Sequence, residues 1–354
     1  MSKAAIIGAG LMGSAMAWPL SDNHNEVHLI GTHLDGDVIK TCKEKNFHPR
    51  LGRELPEHVT PYYFSEIDGA LDGCDIIVSG VNSLGVGWMA SQLAAKARPG
   101  QMVVGITKGL EAGADGSVRL FPHILKAALP EVIRDQVQFA AIGGPCIAGE
   151  LAGRRPSFVM LGADTLAVAK KLAGIFRTSY YFPAPTDDLA GLEIGVALKN
   201  AYTLAVGMAY GILEKEGGID SAGASMHNLA AALFAQGCSE IRRILGFLGA
   251  TEAFAASLPG AGDLYVTSMG GRTVRFGRLL GLGTGFARAR EIMSGETLES
   301  IEIVKSMGRL MPVWRKKGLI ADEDLPLMKA LVEVIAEGRV LNLPFGEFFR
   351  CTWG

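Results

Sequence analysis

"KAAIIGAGLMGSAMA", residues 3–17, decides the fold. A short apolar run reads as a strand, runs into Gly8-Ala9-Gly10-Leu11-Met12-Gly13, and a helical pattern follows over "LMGSAMAWPL". That is G-x-G-x-x-G in a strand–turn–helix context. The first glycine permits the tight turn, and the second lets a pyrophosphate approach the backbone. The third lets helix and strand pack closely, with the helix N-terminus facing the phosphates. Gly8, Gly10, Leu11, Met12 and Gly13 are therefore the candidate dinucleotide contacts.

Downstream, short β-like runs alternate with helical spacing: "EVHLIG", "CDIIVSGV", "QMVVGITKG", "VQFAAIGG" and "SFVMLG" read as strands. "NSLGVGWMASQLAAKA" and "SVRLFPHILKAAL" read as helices. The alternation predicts an α/β, Rossmann-like domain with a parallel sheet. "FPAPTDD" interrupts both periods. Beyond about residue 188, long Ala/Leu/Gly-rich helices predict an all-helical domain. The expected boundaries are 1–187 for the dinucleotide-binding domain and 188–354 for the helical substrate and catalytic domain.

The second strand ends in "LIGTHLD", so Thr32 and His33 occupy the positions where a carboxylate would grip the adenosine ribose of NAD. With no carboxylate at the tip, a 2′-phosphate is not repelled, and Thr32 and His33 can donate hydrogen bonds to it. No arginine stands there either. The expected cofactor is NADP or NAD, with a slight lean to NADP.

The bulk composition excludes several classes. Thirty-four Lys and Arg against 36 Asp and Glu leave a formal net charge of −2, which offers no global field for nucleic acid. Five dispersed cysteines form no C-x-x-C pair, and His48, His58, His123 and His227 have no metal spacing, so no metal is expected. A reducing, cytoplasmic setting is expected, because the N-terminal run lacks the longer apolar core of a signal peptide. "GLEIGVALKNAYTLAVGMAYG", residues 191–211, is apolar enough to suggest a membrane span, but it carries a lysine and four glycines. Lys199 on that helix must snorkel, find a partner or do chemistry.

Four further segments decide among these. "TKGLE" (107–111), "GGPCIAGELA" (143–152), "EIGVALKNAYTLAVGM" (193–208) and "LPGAGDLYVTSMGGRT" (258–273) occur in the order of blocks in NAD(P)-dependent glycerol-3-phosphate dehydrogenases. The chain resembles that family over nearly its whole length. The resemblance implies an oxidoreductase that interconverts sn-glycerol 3-phosphate and dihydroxyacetone phosphate by hydride transfer with NAD(P). It also implies roles. Lys199 matches the catalytic lysine, and Lys108 a second lysine near substrate and cofactor. Asp263 matches an active-site carboxylate. Asn200, Thr267 and Arg272 match substrate positions, Arg272 also reaching the cofactor. Gly144 and Ala148 match backbone that lines the cofactor, and Glu299 of "TLESIE" a glutamate near it.

There are departures. Thr273 follows Arg272 where the family usually has asparagine, Cys146 stands at a serine position, and Met12 replaces a common aromatic. Thr273 adjoins the substrate end, so a related dehydrogenase acting on a different phosphorylated or acidic hydroxy compound is the alternative. A catalytically silent dinucleotide sensor is a third reading, opposed by the intact Lys108, Lys199, Asp263 and Arg272. The expected partner is a small phosphorylated molecule, without nucleic acid or membrane span, and the apolar helical half is compatible with a homodimer.

Overall fold

The computed structural model describes residues 1–350; Cys351 lies outside the described residues. The chain divides into two compact units. The first holds Met1–Lys108 and Phe121–Leu192, and the second Gly109–Leu120 and Glu193 onward.

The first unit is built on an eight-stranded sheet: β1 (Lys3–Ile7), β2 (Glu26–Ile30), β3 (Val59–Tyr62), β4 (Ile76–Ser79), β5 (Met102–Gly105), β6 (Gln138–Gly143), β7 (Ser157–Ala163) and β8 (Tyr181–Thr186). Their spatial order is β8-β7-β6-β5-β4-β1-β2-β3. Strands 1 to 6 are parallel in the doubly wound 3-2-1-4-5-6 order of a Rossmann fold. The sheet is not wholly parallel, because β7 runs antiparallel to β6 and β8 follows β7.

β1 shows why such strands read as continuous apolar runs. Ala4 and Ile6 enter one core, while Ala5 and Ile7 enter the core on the opposite face. "FPAPTDD" proves to include the end of β8, an edge strand carrying Pro183 and Pro185, and the opposite edge, β3, carries Pro61. Proline lacks the N–H that a central strand must donate, so it is tolerated at edges and there blunts further pairing.

Two helices read from sequence are shorter than expected. Residues 11–20 form not one helix but Leu11–Ala15 (α1) followed by Ala17–Asp22 (α2). Pro19 cannot donate to the carbonyl four residues back, which ends a continuous ladder. In "SVRLFPHILKAAL", Val118–Leu120 is a strand and only Phe121–Ala128 is helical.

The second unit is helical apart from the hairpin Leu110–Ala112/Val118–Leu120. Its framework is α3 (Leu189–Lys215, whose first turn belongs to the first unit), α4 (His227–Phe247), α5 (Asp263–Ser268), α6 (Arg272–Gly281), α7 (Glu299–Lys316) and α8 (Pro326–Ile335). The hairpin is tied to α7, where the Trp314 indole donates to the Gly116 carbonyl at 2.8 Å. α3 is long and apolar enough to cross a membrane, yet 83% of its most apolar window is buried within the protein. It is a core helix.

α3 and α6 meet through four glycines. A Cβ on Gly207 would lie 2.5 Å from the Val274 carbonyl oxygen. Cβ atoms on Gly211, Gly277 and Gly281 would collide with the carbonyl oxygens of Arg278, Leu204 and Met208. The two backbones are therefore in direct contact over about two turns.

Candidate active site

In the first unit the glycine turn stands where the sheet order reverses, at the C-terminal ends of β1 and β4. Gly8 has φ +116°, and a Cβ on it would lie 2.8 Å from the Gly80 carbonyl group. A Cβ on Gly80, in turn, would lie 3.0 Å from the Gly13 Cα. Gly8, Gly13 and Gly80 are thus required by the protein's own packing. Gly10 differs, since a Cβ there would approach nothing closer than 4.0 Å. Its glycine leaves a cradle that a side chain would fill, which fits close approach by a cofactor pyrophosphate. Leu11 opens α1 and is half exposed, and Met12 packs at the edge of the core.

The tip of β2 is more constrained than the sequence suggests. Asp35 folds back under it and is buried. Its Oδ2 accepts from Thr32 N–H at 2.9 Å, the Thr32 hydroxyl at 2.7 Å and Ala9 N–H at 3.2 Å. The Thr32 hydroxyl also accepts from Leu34 N–H at 3.2 Å. Its proton is committed to Asp35, which corrects the expectation that Thr32 donates to a phosphate and that the tip lacks a carboxylate. His33 is exposed and stands edge-on to Trp88, ring centroids 5.8 Å apart.

Lys108, Met12, Gly144 and Cys146 line one small cavity of about 30 Å³ in the first unit. The Lys108 ammonium donates to the Gly144 carbonyl at 3.3 Å. Ala148 opens the helix Ala148–Ala152 and packs against the same core. Four expected cofactor-side residues are therefore neighbours.

In the second unit Lys199 projects from the buried stretch of α3. Its Nζ lies 2.8 Å from Asp263 Oδ1, with only 5% of the lysine and 2% of the aspartate side chain exposed. Nζ also donates to the Thr267 hydroxyl at 2.5 Å, and that hydroxyl donates to the Asp263 carbonyl at 2.7 Å. The lysine is thus neither snorkelling nor solvated. Asp263 is delivered by a π-helical turn, Leu258–Gly262, whose Pro259 packs beside Gly195 of α3. Such turns recur at functional sites because they re-aim the residues that follow.

Asn200 adjoins Lys199 and is 9% exposed. Arg272 is the first residue of α6, half exposed, with Nη2 3.7 Å from Glu299 Oε2, and Thr273 beside it is buried. An ion pair so long and exposed is worth at most about 1 kcal/mol, so it restrains Arg272 little. The sequence reading missed Asp35, Gly80 and the glycine contact of α3 with α6. The last had a signal, Gly-x-x-x-Gly at both 207–211 and 277–281.

The model of the NAD-dependent glycerol-3-phosphate dehydrogenase N-terminus matches residues 3–169, and that of the C-terminus residues 188–342. The chain belongs to the NAD-dependent glycerol-3-phosphate dehydrogenase family. Among relatives of this family member, the NADP(+)-dependent glycerol-3-phosphate dehydrogenase of Archaeoglobus fulgidus is 31% identical, over 94% of this chain and 95% of its own. The glycerol-3-phosphate dehydrogenase [NAD(P)+] of Geobacillus kaustophilus is 30% identical, over 96% and 92%. The glycerol-3-phosphate dehydrogenase structure from Coxiella burnetii shares the fold, with a TM-score of 0.77 at 24% identity over 96% of each chain.

Proposed function

We propose that this dehydrogenase reduces dihydroxyacetone phosphate to sn-glycerol 3-phosphate, and catalyses the reverse, with NAD(P). The observation that carries the reading is the buried Lys199 ammonium held between Asp263 and Thr267. Bound nicotinamide cofactor supplies or accepts the hydride. As the ketone is reduced, negative charge develops on its oxygen, and a positioned ammonium stabilises that charge and hands over a proton. Asp263 and Thr267, one turn apart on α5, both bind Nζ and so fix its position for that transfer. Arg272 offers the substrate phosphate a planar, bidentate partner at the start of α6, joined by Asn200 and Lys108 as polar contacts. Residues 1–187 hold the cofactor through Gly8, Gly10, Leu11, Met12, Gly13, His33, Gly144 and Ala148, with Lys108, Arg272 and Glu299 contributing. Residues 188–354 carry the remaining chemistry.

The reading extends to NADP as the preferred cofactor, supported by exposed His33 and by an Asp35 carboxylate already occupied by three donors. It also extends to a cytoplasmic homodimer. The cysteines among the described residues are free thiols, which suits a reducing compartment. Light scattering measures the assembly. Initial rates with NADH and NADPH against dihydroxyacetone phosphate, with dihydroxyacetone as control, test the activity; no turnover with either cofactor overturns it. Thr273 favours a second reading, a different ketose phosphate as substrate, and a ketose-phosphate panel separates the two.

A further inference from the structure

Lys199 and Arg272 stand on different helices, so something must fix the distance between them. The glycines of α3 and α6 pair in register. Gly207 and Leu204 of α3 meet Val274 and Gly277 of α6, and Met208 and Gly211 meet Arg278 and Gly281. Residue numbers rise together, so the helices run in the same direction. The N-terminus of α6, Gly271-Arg272-Thr273, consequently lies toward the Lys199 end of α3. The level of Gly207 is about 12 Å along the helix axis from Lys199. Side chains on packed helices can shear past one another, whereas backbone carbonyls seated on glycine Cα atoms cannot shift without collision. Gly277 has its Cα against Gly207, with a virtual Cβ 3.1 Å from that Cα, and of the two α6 glycines in the contact it is the nearer to Arg272.

We propose that the four-glycine contact is a ruler: it fixes the separation of the proton-donating Lys199 from the phosphate-binding start of α6, and so selects the chain length of the substrate. The inference rests on the dehydrogenase reading above, with Arg272 taking the phosphate. Gly207, Gly211, Gly277 and Gly281 are positioning residues and touch no substrate. A methyl group at Gly277 must push α6 off α3 by on the order of 1 Å, a misplacement that can cost about 10²-fold in rate.

The test has two arms. In Gly277→Ala, kcat/KM for dihydroxyacetone phosphate should fall by about 10²-fold, and for unphosphorylated dihydroxyacetone by less than about threefold. Cofactor affinity, measured by fluorescence titration with NADPH, should change by less than about threefold, because all its proposed contacts except Arg272 and Glu299 belong to the other unit. Equal losses with both ketones in a folded variant overturn the ruler and leave the glycines as packing alone. The second arm needs no variant, so it stands even if Gly277→Ala does not fold. Calorimetry of the wild-type protein with ω-hydroxyalkyl phosphates of two to five carbons should give one sharply preferred length, neighbours binding at least about tenfold more weakly. A flat series overturns the ruler. A wild-type enzyme inactive on dihydroxyacetone phosphate but sharply length-selective overturns the substrate reading instead.

Discussion

Lys199 could be singled out from sequence because a single charge in an apolar helix is costly and needs a cause. The structure supplies partners that spacing could not reveal, since Asp263 and Thr267 are more than sixty residues away and reach it through a π-helical turn. Lys199→Met, which keeps the stem and removes the charge, should lower kcat by at least about 10²-fold with cofactor affinity within a few-fold. Steady-state rates and NADPH titration check both halves. Arg272→Ala should cost about 2–4 kcal/mol of transition-state binding with a phosphorylated ketone and much less without the phosphate. Comparable losses with dihydroxyacetone phosphate and dihydroxyacetone would place Arg272 away from the phosphate. At the β2 tip the sequence misled, because Asp35 lies beyond the strand and only the turn brings it back. A carboxylate at Thr32 would face Asp35 and break that turn, so His33 is the position to change. His33→Glu should raise the NADH-to-NADPH ratio of kcat/KM by roughly tenfold, one decade being 1.4 kcal/mol; kinetics with both cofactors decide.

Among the elements, β1, β2, β4, β5 and β6 were legible because strands buried on both faces read as apolar runs bounded by turn residues, and β7 because its run stays apolar although Phe158 is exposed. β3 and β8 were not, because edge strands accept prolines and partial exposure, which erase that signature. The same limit hid Gly80. One glycine after β4 carries no pattern, and its necessity comes from packing against Gly8 and Gly13, far away in sequence. Gly80→Ala would put a Cβ 2.9 Å from the Gly8 carbonyl oxygen and 3.0 Å from the Gly13 Cα, so the turn must open. We expect NADPH affinity to fall by more than about tenfold while the second unit's far-ultraviolet helical signal is retained. Unaltered affinity by fluorescence titration would show that the turn absorbs the methyl group.

For the whole molecule, a change of period near residue 188 revealed two parts, but not that the hairpin of residues 110–120 joins the helical unit, where α7 holds it. Nor did it reveal the carboxylate that links three helices of that unit. Glu240 of α4 is fully buried. Its Oε1 accepts from Gln236 Nε2 at 2.8 Å and Leu327 N–H at 2.7 Å, and its Oε2 from the Tyr202 hydroxyl and Met328 N–H, both at 2.9 Å. It thereby caps α8 from outside and ties it to α3, the helix of Lys199. Burial pushes its carboxyl up to about 7, against the pull of those four donors. The unfolded chain has the ordinary, lower value, so between the two the folded state binds more protons. Stability from this group is full below about pH 4, and is lost as pH rises through 7. Glu240→Gln removes the titration but turns an amide N–H₂ toward existing donors, at a cost of about 1–3 kcal/mol. The wild type should therefore melt well above the variant at pH 5, and the gap should narrow by several degrees by pH 8.5. Calorimetric Tm values across that range measure it, and a constant gap would mean that Glu240 keeps its charge throughout.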